Sequence, residues 1–256
     1  MLHYQASGVG HPIVLVHGFC ENSTCFNKQV LLLNLQGFCT ITVDLPGFGQ
    51  SKAVPDITIE GMADMLEKTL QKININKVVV LGHSMGGYIT LAYAKKYQER
   101  LAGFGLLHST AAADTDDRKS KREQSITFIK SHGVYPYVSN FVPPLFAPHY
   151  KIVEDIDAAV EQAINTTSDG LCYALQAMKD RPDSLEFISQ TGLPVLYIAG
   201  EHDQIIPLDA ILKQASTLQN GKLCLLKNAA HMGMIEQADT CASQIVEFTN
   251  YCFATA

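Results

Sequence analysis

The run Val78-Val79-Val80-Leu81 leads straight into Gly82-His83-Ser84-Met85-Gly86, and a helical pattern follows to about Tyr97. A continuous apolar run of β-branched residues reads as a buried strand. The serine stands where that strand gives way to the helix, with a glycine two positions away on either side. A chain that folds back so sharply brings its backbone into close approach at those two positions, where any Cβ would collide. The turn would hold the serine hydroxyl clear of the backbone at the strand's C-terminal end. There, the N-terminus of the following helix favours developing negative charge.

The same rhythm runs through most of the chain. "PIVLVHG", "CTITVDLPG", "LAGFGLLHS", "LPVLYIAGEHD" and "GKLCLLKNAAH" read as further strands. Helical patterns such as "FNKQVLLLNLQG", "TIEGMADMLEKTLQKI", "PLDAILKQASTLQ" and "MIEQADTCASQIVEFTNYC" lie among them. The strands are continuous apolar runs, as expected when both faces of a parallel sheet are covered. Strand–helix repetition of this kind predicts a doubly wound, mostly parallel α/β sheet. With 47% apolar and 17% charged residues, the chain can bury a large core.

Between residues 111 and 185 the rhythm stops. "DTDDRKSKREQSITFIKSHG" opens with acids, continues with bases and closes on Gly133, which suits a helix dipole and cap. "YKIVEDIDAAVEQAI" places Ile152, Val153, Ile156, Val160 and Ile164 on one helical face, and "SDGLCYALQAM" does the same with Leu171, Leu175 and Met178. Residues 1–110 and 186–256 are therefore expected to form the sheet domain, with 111–185 a helical cap inserted into it. The charge run Asp114–Glu123 reads as a solvated helix face rather than a partner-binding patch.

A net charge of -6 argues against nucleic acid as a partner. The opening "MLHYQASGVGHP" has neither the basic nor the apolar region of a secretory signal, and no apolar run approaches the length of a membrane span. The seven cysteines are scattered, odd in number and without CxxC spacing, so they read as reduced thiols and point to the cytoplasm. No Cys/His cluster has zinc spacing, and no glycine run completes a dinucleotide or phosphate-loop pattern. Neither a metal nor a cofactor is expected.

A serine hydroxyl is a poor nucleophile until a base takes its proton, and the base needs a third group to orient it. Asp203 follows the strand "VLYIAG" and His231 follows "KLCLLKNAA", so both emerge on the rim where Ser84 is expected. Alone, an aspartate in a loop is ordinarily a turn former, and a histidine after a strand is ordinarily structural. Joint placement at three strand ends favours a nucleophile, acid and base instead. Two rivals exist. His83 adjoins the serine, but its side chain should leave the turn on the far side; Asp114 is the other acid near a strand end.

These motifs resemble those of serine hydrolases in the α/β-hydrolase superfamily, over essentially the whole chain. "VLVHGF" is similar to the family's His-Gly-x turn, and "DLPGFGQS" to its Asp-x-x-Gly-x-Gly-x-Ser loop. "GEHDQIIP" and "AAHMGMIEQ" are similar to the acid and histidine segments, and "ALQAMKDRPD" to the lid exit of small carboxylesterase and enol-lactonase-like members. The resemblance implies the α/β-hydrolase fold with its cap after the sixth strand. It makes Ser84 the nucleophile, His231 the base and Asp203 the orienting acid. The backbone N–H groups of Phe19 and Met85 would form the oxyanion hole, with His17 and Gly18 shaping the turn and residues 44–51 bracing it.

The implied activity is cofactor-independent cleavage of a small or medium ester through an acyl-enzyme. Thioesters, lactones and carbon–carbon bonds are alternatives for the same triad, and a ligand-binding or regulatory protein with little turnover is an alternative of another class. Family members that dehalogenate or open epoxides differ in using an aspartate nucleophile, and this chain has no tryptophan. The turn after Gly18 also lacks the Gly-Pro-Gly typical of the carbon–carbon hydrolases. Little sequence precedes "PIVLVHG", so the family's first antiparallel strands are expected to be abbreviated. Phe141, Phe146 and Met178 are candidate walls of the substrate pocket beneath the cap, though a core role is the plainer reading of each.

Overall fold

The computed structural model describes residues 1–255. It begins with β1 (His3–Gly8), β2 (Pro12–Val16), α1 (Asn27–Leu35), β3 (Cys39–Asp44), α2 (Ile59–Lys72), β4 (Val78–His83), α3 (Met85–Lys96) and β5 (Leu101–Leu107). Five helices follow with no strand among them: α4 (Asp116–His132), α5 (Val134–Phe141), α6 (Val153–Ile164), α7 (Ser168–Asp180) and α8 (Leu185–Gln190). The chain then returns to the sheet through β6 (Val195–Gly200), α9 (Leu208–Ala215), β7 (Gly221–Leu226), α10 (Gly233–Glu236) and α11 (Ala238–Thr255).

The seven strands form one sheet in the order β1-β3-β2-β4-β5-β6-β7. Only β1 runs antiparallel, against β3, and every other pairing is parallel. Alternate residues of the inner strands serve two cores. Val14, Val16, Val78 and Val80 face α2 and α3, packing with Met62, Leu66, Leu70 and Ile89. Ile13, Leu15, Val79 and Leu81 face α1 and α11, packing with Leu33, Ile245 and Phe248. This two-sided burial is why the strands are apolar throughout rather than alternating.

From β2 the chain passes to β3 on one side, then crosses to β4 on the other. That reversal opens a crevice at the C-terminal ends of β2 and β4, where ligands gather in open α/β sheets. Residues 17–21 leave β2 at this point, and Ser84 leaves β4.

The structure departs from the sequence reading in several places. One antiparallel N-terminal strand, β1, forms, in keeping with the abbreviation expected there, and the helical insertion follows the fifth strand of this chain. α5 carried no periodic signal, being short and holding Pro136, which a first helical turn tolerates. The expected apolar row on α6 holds only in part. Ile152 caps the helix from outside and Val153 is also exposed, while Ile156, Val160 and Ile164 are partly buried.

Asp114 is a clearer correction. It is not part of a solvated face but lies buried before α4, paired with both Arg122 and Arg181. It does not face His231. Among the described residues, no helix is long and apolar enough to cross a membrane.

Removing one partner from a buried ion cluster leaves uncompensated charge, which typically costs about 3–5 kcal/mol. Asp114→Asn is therefore expected to lower unfolding free energy by about 3 kcal/mol in chemical denaturation. Asp117→Asn should change it by less than about 0.5 kcal/mol, since its pair with Lys121 is exposed.

Candidate active site

Ser84 sits at the start of α3 with φ 48° and ψ -113°, a conformation that costs a non-glycine residue about 1–3 kcal/mol. The neighbouring glycines make it possible. A Cβ at Gly82 would run into the backbone of Gly86, and one at Gly86 would strike the Val16 carbonyl of the adjacent strand. The turn is pinned from β5: the Ser84 N–H donates to the Leu107 carbonyl (2.9 Å), and the Ser109 hydroxyl donates to the Ser84 carbonyl (2.7 Å).

Asp203 and His231, brought from the ends of β6 and β7, meet in a buried hydrogen bond. His231 Nδ1 donates to Asp203 Oδ2 at 2.8 Å, the contact that in the neutral ring keeps Nε2 as the acceptor. The other carboxylate oxygen accepts the N–H groups of Ile205 (2.8 Å) and Ile206 (2.9 Å). Burial by itself would raise the Asp203 pKa, but the facing His231 and His108 hold it far below the usual carboxylate range. Asp203 is thus an anion at neutral pH. His231 and Ser84 line one cavity of about 200 Å³, together with Phe19, Tyr137, Phe141 and Met178.

Across the crevice, the segment after β2 is shaped by His17. Its Nδ1–H donates to the Gly18 carbonyl (2.7 Å) and its Nε2 accepts the Leu45 N–H (2.9 Å). Burial lowers its pKa, consistent with this neutral tautomer. Asp44 accepts the N–H groups of Ser23 (2.8 Å) and Gln50 (2.9 Å), joining this segment to the loop after β3. Among the described residues, neither the Phe19 nor the Met85 N–H has a hydrogen-bond acceptor.

Two of the three candidate pocket residues reach the cavity. Phe141 and Met178 line it, whereas Phe146 is stacked on Tyr150 inside the second core and is absent from the lining. The main-chain turn after α5 carries Phe146 past the rim and puts Leu145 there instead. Arg122 contacts the Met178 thioether from α4 at 3.4 Å. Larger hollows lie elsewhere, including one of about 330 Å³ that shares Tyr88, but none of them is lined by Ser84 or His231.

The sequence reading missed a set of buried polar residues around the site. Glu21 accepts the Gly18 N–H (2.6 Å) and pairs with His83 Nδ1 (2.9 Å). His83 Nε2 donates to the His231 carbonyl at 2.8 Å. With acceptors at both ring nitrogens, His83 is an imidazolium committed to two loops. His108 adopts φ 48° after β5 and places Nδ1 3.5 Å from Asp203 Oδ2. Burial, above all, lowers its pKa to about 4, so it is neutral at neutral pH.

Glu236 accepts the N–H groups of Ala230 (2.9 Å) and Ala147 (2.6 Å), tying the His231 loop to the inserted helices. The one available sequence signal was Glu21's spacing, three residues beyond Gly18. The rest depend on tertiary contacts. Potential ligand atoms of His108, Asp203 and His231 fall within 4.8 Å of one another, but the Asp203 and His231 atoms facing each other are engaged in their mutual hydrogen bond.

Comparison with known proteins agrees with this architecture. Residues 11–128 match the family described as alpha/beta hydrolase fold, and residues 159–249 match that of TAP-like proteins. An esterase from Thermogutta terrifontis, solved with malate bound, superposes with a TM-score of 0.94 at 29% identity, covering 98% of this chain and 93% of that one. An enol-lactonase from Burkholderia xenovorans gives 0.89 at 22% identity, with 97% and 96% covered. Lipase 1 of Psychrobacter immobilis is 27% identical over 249 residues, covering 93% of this chain and 77% of its own. These likenesses give the chain the α/β-hydrolase fold.

The Glu21–His83 pair has a defined pH signature. Burial would raise the Glu21 pKa, but His83 and the Gly18 N–H outweigh it and the net shift is downward. Burial would lower the His83 pKa, but Glu21 and the His231 carbonyl outweigh it and the net shift is upward. The Glu21 contribution is present above its unfolded value near pH 4.3 and is lost as pH falls through its lower folded value. The His83 contribution is full below its unfolded value near pH 6.5 and is lost as pH rises through its higher folded value.

Glu21→Gln is accordingly expected to destabilise the fold by about 3 kcal/mol near pH 6, with the deficit shrinking at alkaline pH. Denaturation of parent and variant at several pH values checks this. A pH-independent deficit would contradict the charged pairing.

Proposed function

We propose that the protein is a serine hydrolase that cleaves carboxylic esters of small substrates through an acyl-enzyme, without a cofactor. The observation that carries this reading is the 2.8 Å Asp203–His231 hydrogen bond in the cavity that also holds the strained Ser84. The esterase, lipase and enol-lactonase among its relatives support ester chemistry. The seven unpaired cysteines suit a reducing compartment, in keeping with a cytoplasmic location.

In this mechanism Ser84 Oγ attacks the ester carbonyl carbon while His231 Nε2 takes its proton. Buried and anionic, Asp203 stabilises the imidazolium and holds its tautomer. The carbonyl oxygen becomes an oxyanion held by the free N–H groups of Phe19 and Met85, beside the N-terminus of α3. His231 then protonates the leaving alkoxide, the C–O bond breaks, and the acyl group remains on Ser84. Water, deprotonated by His231, attacks the acyl-enzyme; collapse releases the acid and restores Ser84.

Ser84→Ala is expected to lower turnover of a 4-nitrophenyl ester by about 10⁴–10⁶ with the fold intact. Asp203→Asn should cost about 10³–10⁴ in rate while substrate binding is kept, because His231 would hold the wrong tautomer. Near-normal activity in Ser84→Ala would rule the mechanism out.

The inserted helices act here as a cap that selects the acyl chain. Phe141→Ala and Met178→Ala should shift the preferred ester length, by a few-fold per carbon at about 0.8 kcal/mol per methylene. Phe146→Ala should instead lower stability by about 3 kcal/mol without moving that preference. Turnover across an ester series, with melting curves alongside, separates the two outcomes.

A further inference from the structure

The cavity that holds Ser84 has a charged wall that ester cleavage does not require. Arg118, Lys121, Arg122 and Ser125 all line it from α4, at positions i, i+3, i+4 and i+7 of one helical face. Their existing partners do not neutralise them all. Lys121 is exposed at the mouth and pairs with Asp117 at 2.7 Å. Arg122 and Arg181 divide the single carboxylate of Asp114, which leaves one positive charge in excess. Among the described residues, the other hydrogen bond of Arg122 goes to the Met178 thioether, a weak acceptor.

Arg118 has no carboxylate partner among the described residues. One Nη2 bond to the Ile205 carbonyl fixes its fork beside the Asp203 loop, and its other donors are uncommitted. The acidic groups nearest the reacting centre offset this charge only in part. Glu21 is matched by His83, whereas the Asp203 carboxylate, hydrogen-bonded to an uncharged His231, cancels one of the positive charges.

One cationic charge therefore stands in excess beside an aromatic cavity, and the uncommitted donors of Arg118 face it, in a protein whose net charge is -6. A half-enclosed cleft lined by one sign of charge concentrates ligands of the other sign. A planar guanidinium fork with free donors matches a carboxylate. The cavity volume of about 200 Å³ limits the acyl chain to a short one.

We infer that the substrate is a carboxylate-bearing ester, a half-ester of a short dicarboxylic acid, whose free carboxylate is held by Arg118 with Arg122 behind it. This rests on the ester-hydrolase reading above and adds the substrate's charge. The scissile carbonyl lies at Ser84, and the distal carboxylate reaches the α4 wall.

The test compares monoethyl glutarate with ethyl pentanoate, in which a methyl group replaces the carboxylate, by following acid release. The parent enzyme should favour the half-ester by about tenfold or more in kcat/KM, the range of one hydrogen bond to a charged group. That preference should weaken at high salt, which screens the wall. Arg118→Gln should bring the ratio of the two substrates towards one, chiefly by raising KM for the half-ester, and Arg118→Lys should keep part of the preference. Free glutarate should inhibit competitively and inorganic phosphate should not, which separates a carboxylate site from a general anion site.

A parent preference for ethyl pentanoate, an unchanged ratio in a folded Arg118→Gln variant, or inhibition by phosphate but not glutarate would overturn the inference and leave ester hydrolysis standing. Should Arg118→Gln fail to fold, the parent's substrate ratio, salt response and inhibition pattern decide the matter. Cleavage of neither ester would overturn the hydrolase reading beneath it.

Discussion

The strained backbone at Ser84 is the constraint around which the site is arranged. A residue with a Cβ at φ 48° is unfavourable unless its surroundings over-determine it, and here they do. Gly82 and Gly86 remove the Cβ atoms that the turn cannot hold, and Gly86 also lets α3 approach the Val16 carbonyl. Hydrogen bonds from Ser84 to Leu107 and from Ser109 to Ser84 fasten the turn to β5. The result is a hydroxyl presented at the crevice between β2 and β4, where the strand order reverses.

The groups around that hydroxyl are set by buried polar contacts rather than by the sheet alone. Loops after β2, β4, β6 and β7 would drift independently if only apolar packing held them. Glu21 and His83 join the first two to the His231 carbonyl, while Asp203 orients the His231 ring. Glu236 and the Leu145 carbonyl, which accepts the His231 N–H at 2.9 Å, fasten the same loop to the inserted helices. Desolvation makes each of these groups costly to leave unpaired, so together they favour one arrangement of the rim.

Local rules made part of this legible in the sequence. Apolar runs buried on both sides marked the inner strands, and the spacing around Ser84 marked the turn because a steric requirement binds neighbours in sequence. Asp203 and His231 could be placed on the same rim because both directly follow strands. What local rules could not supply was anything fixed by distant partners. Asp114 looked like one more charge in a solvated run, yet Arg181, far along the chain, draws it inside. Phe146 and Phe141 are similar in the sequence, and only the path of the chain after α5 sends one to the core and the other to the cavity. Glu21 and His83 lie 62 positions apart, and neither announces the other.

Activation of Ser84 by the Asp203–His231 pair has a covalent signature. A fluorophosphonate reacts rapidly only with a serine whose proton is drawn away and whose developing oxyanion is held. Incubation with the reagent, followed by mass spectrometry of the intact chain and its peptides, should show one adduct per chain, located on Ser84 and formed far more slowly in Asp203→Asn. A folded protein that stays unmodified, or an adduct on any other residue, would mean that Ser84 is not an activated nucleophile.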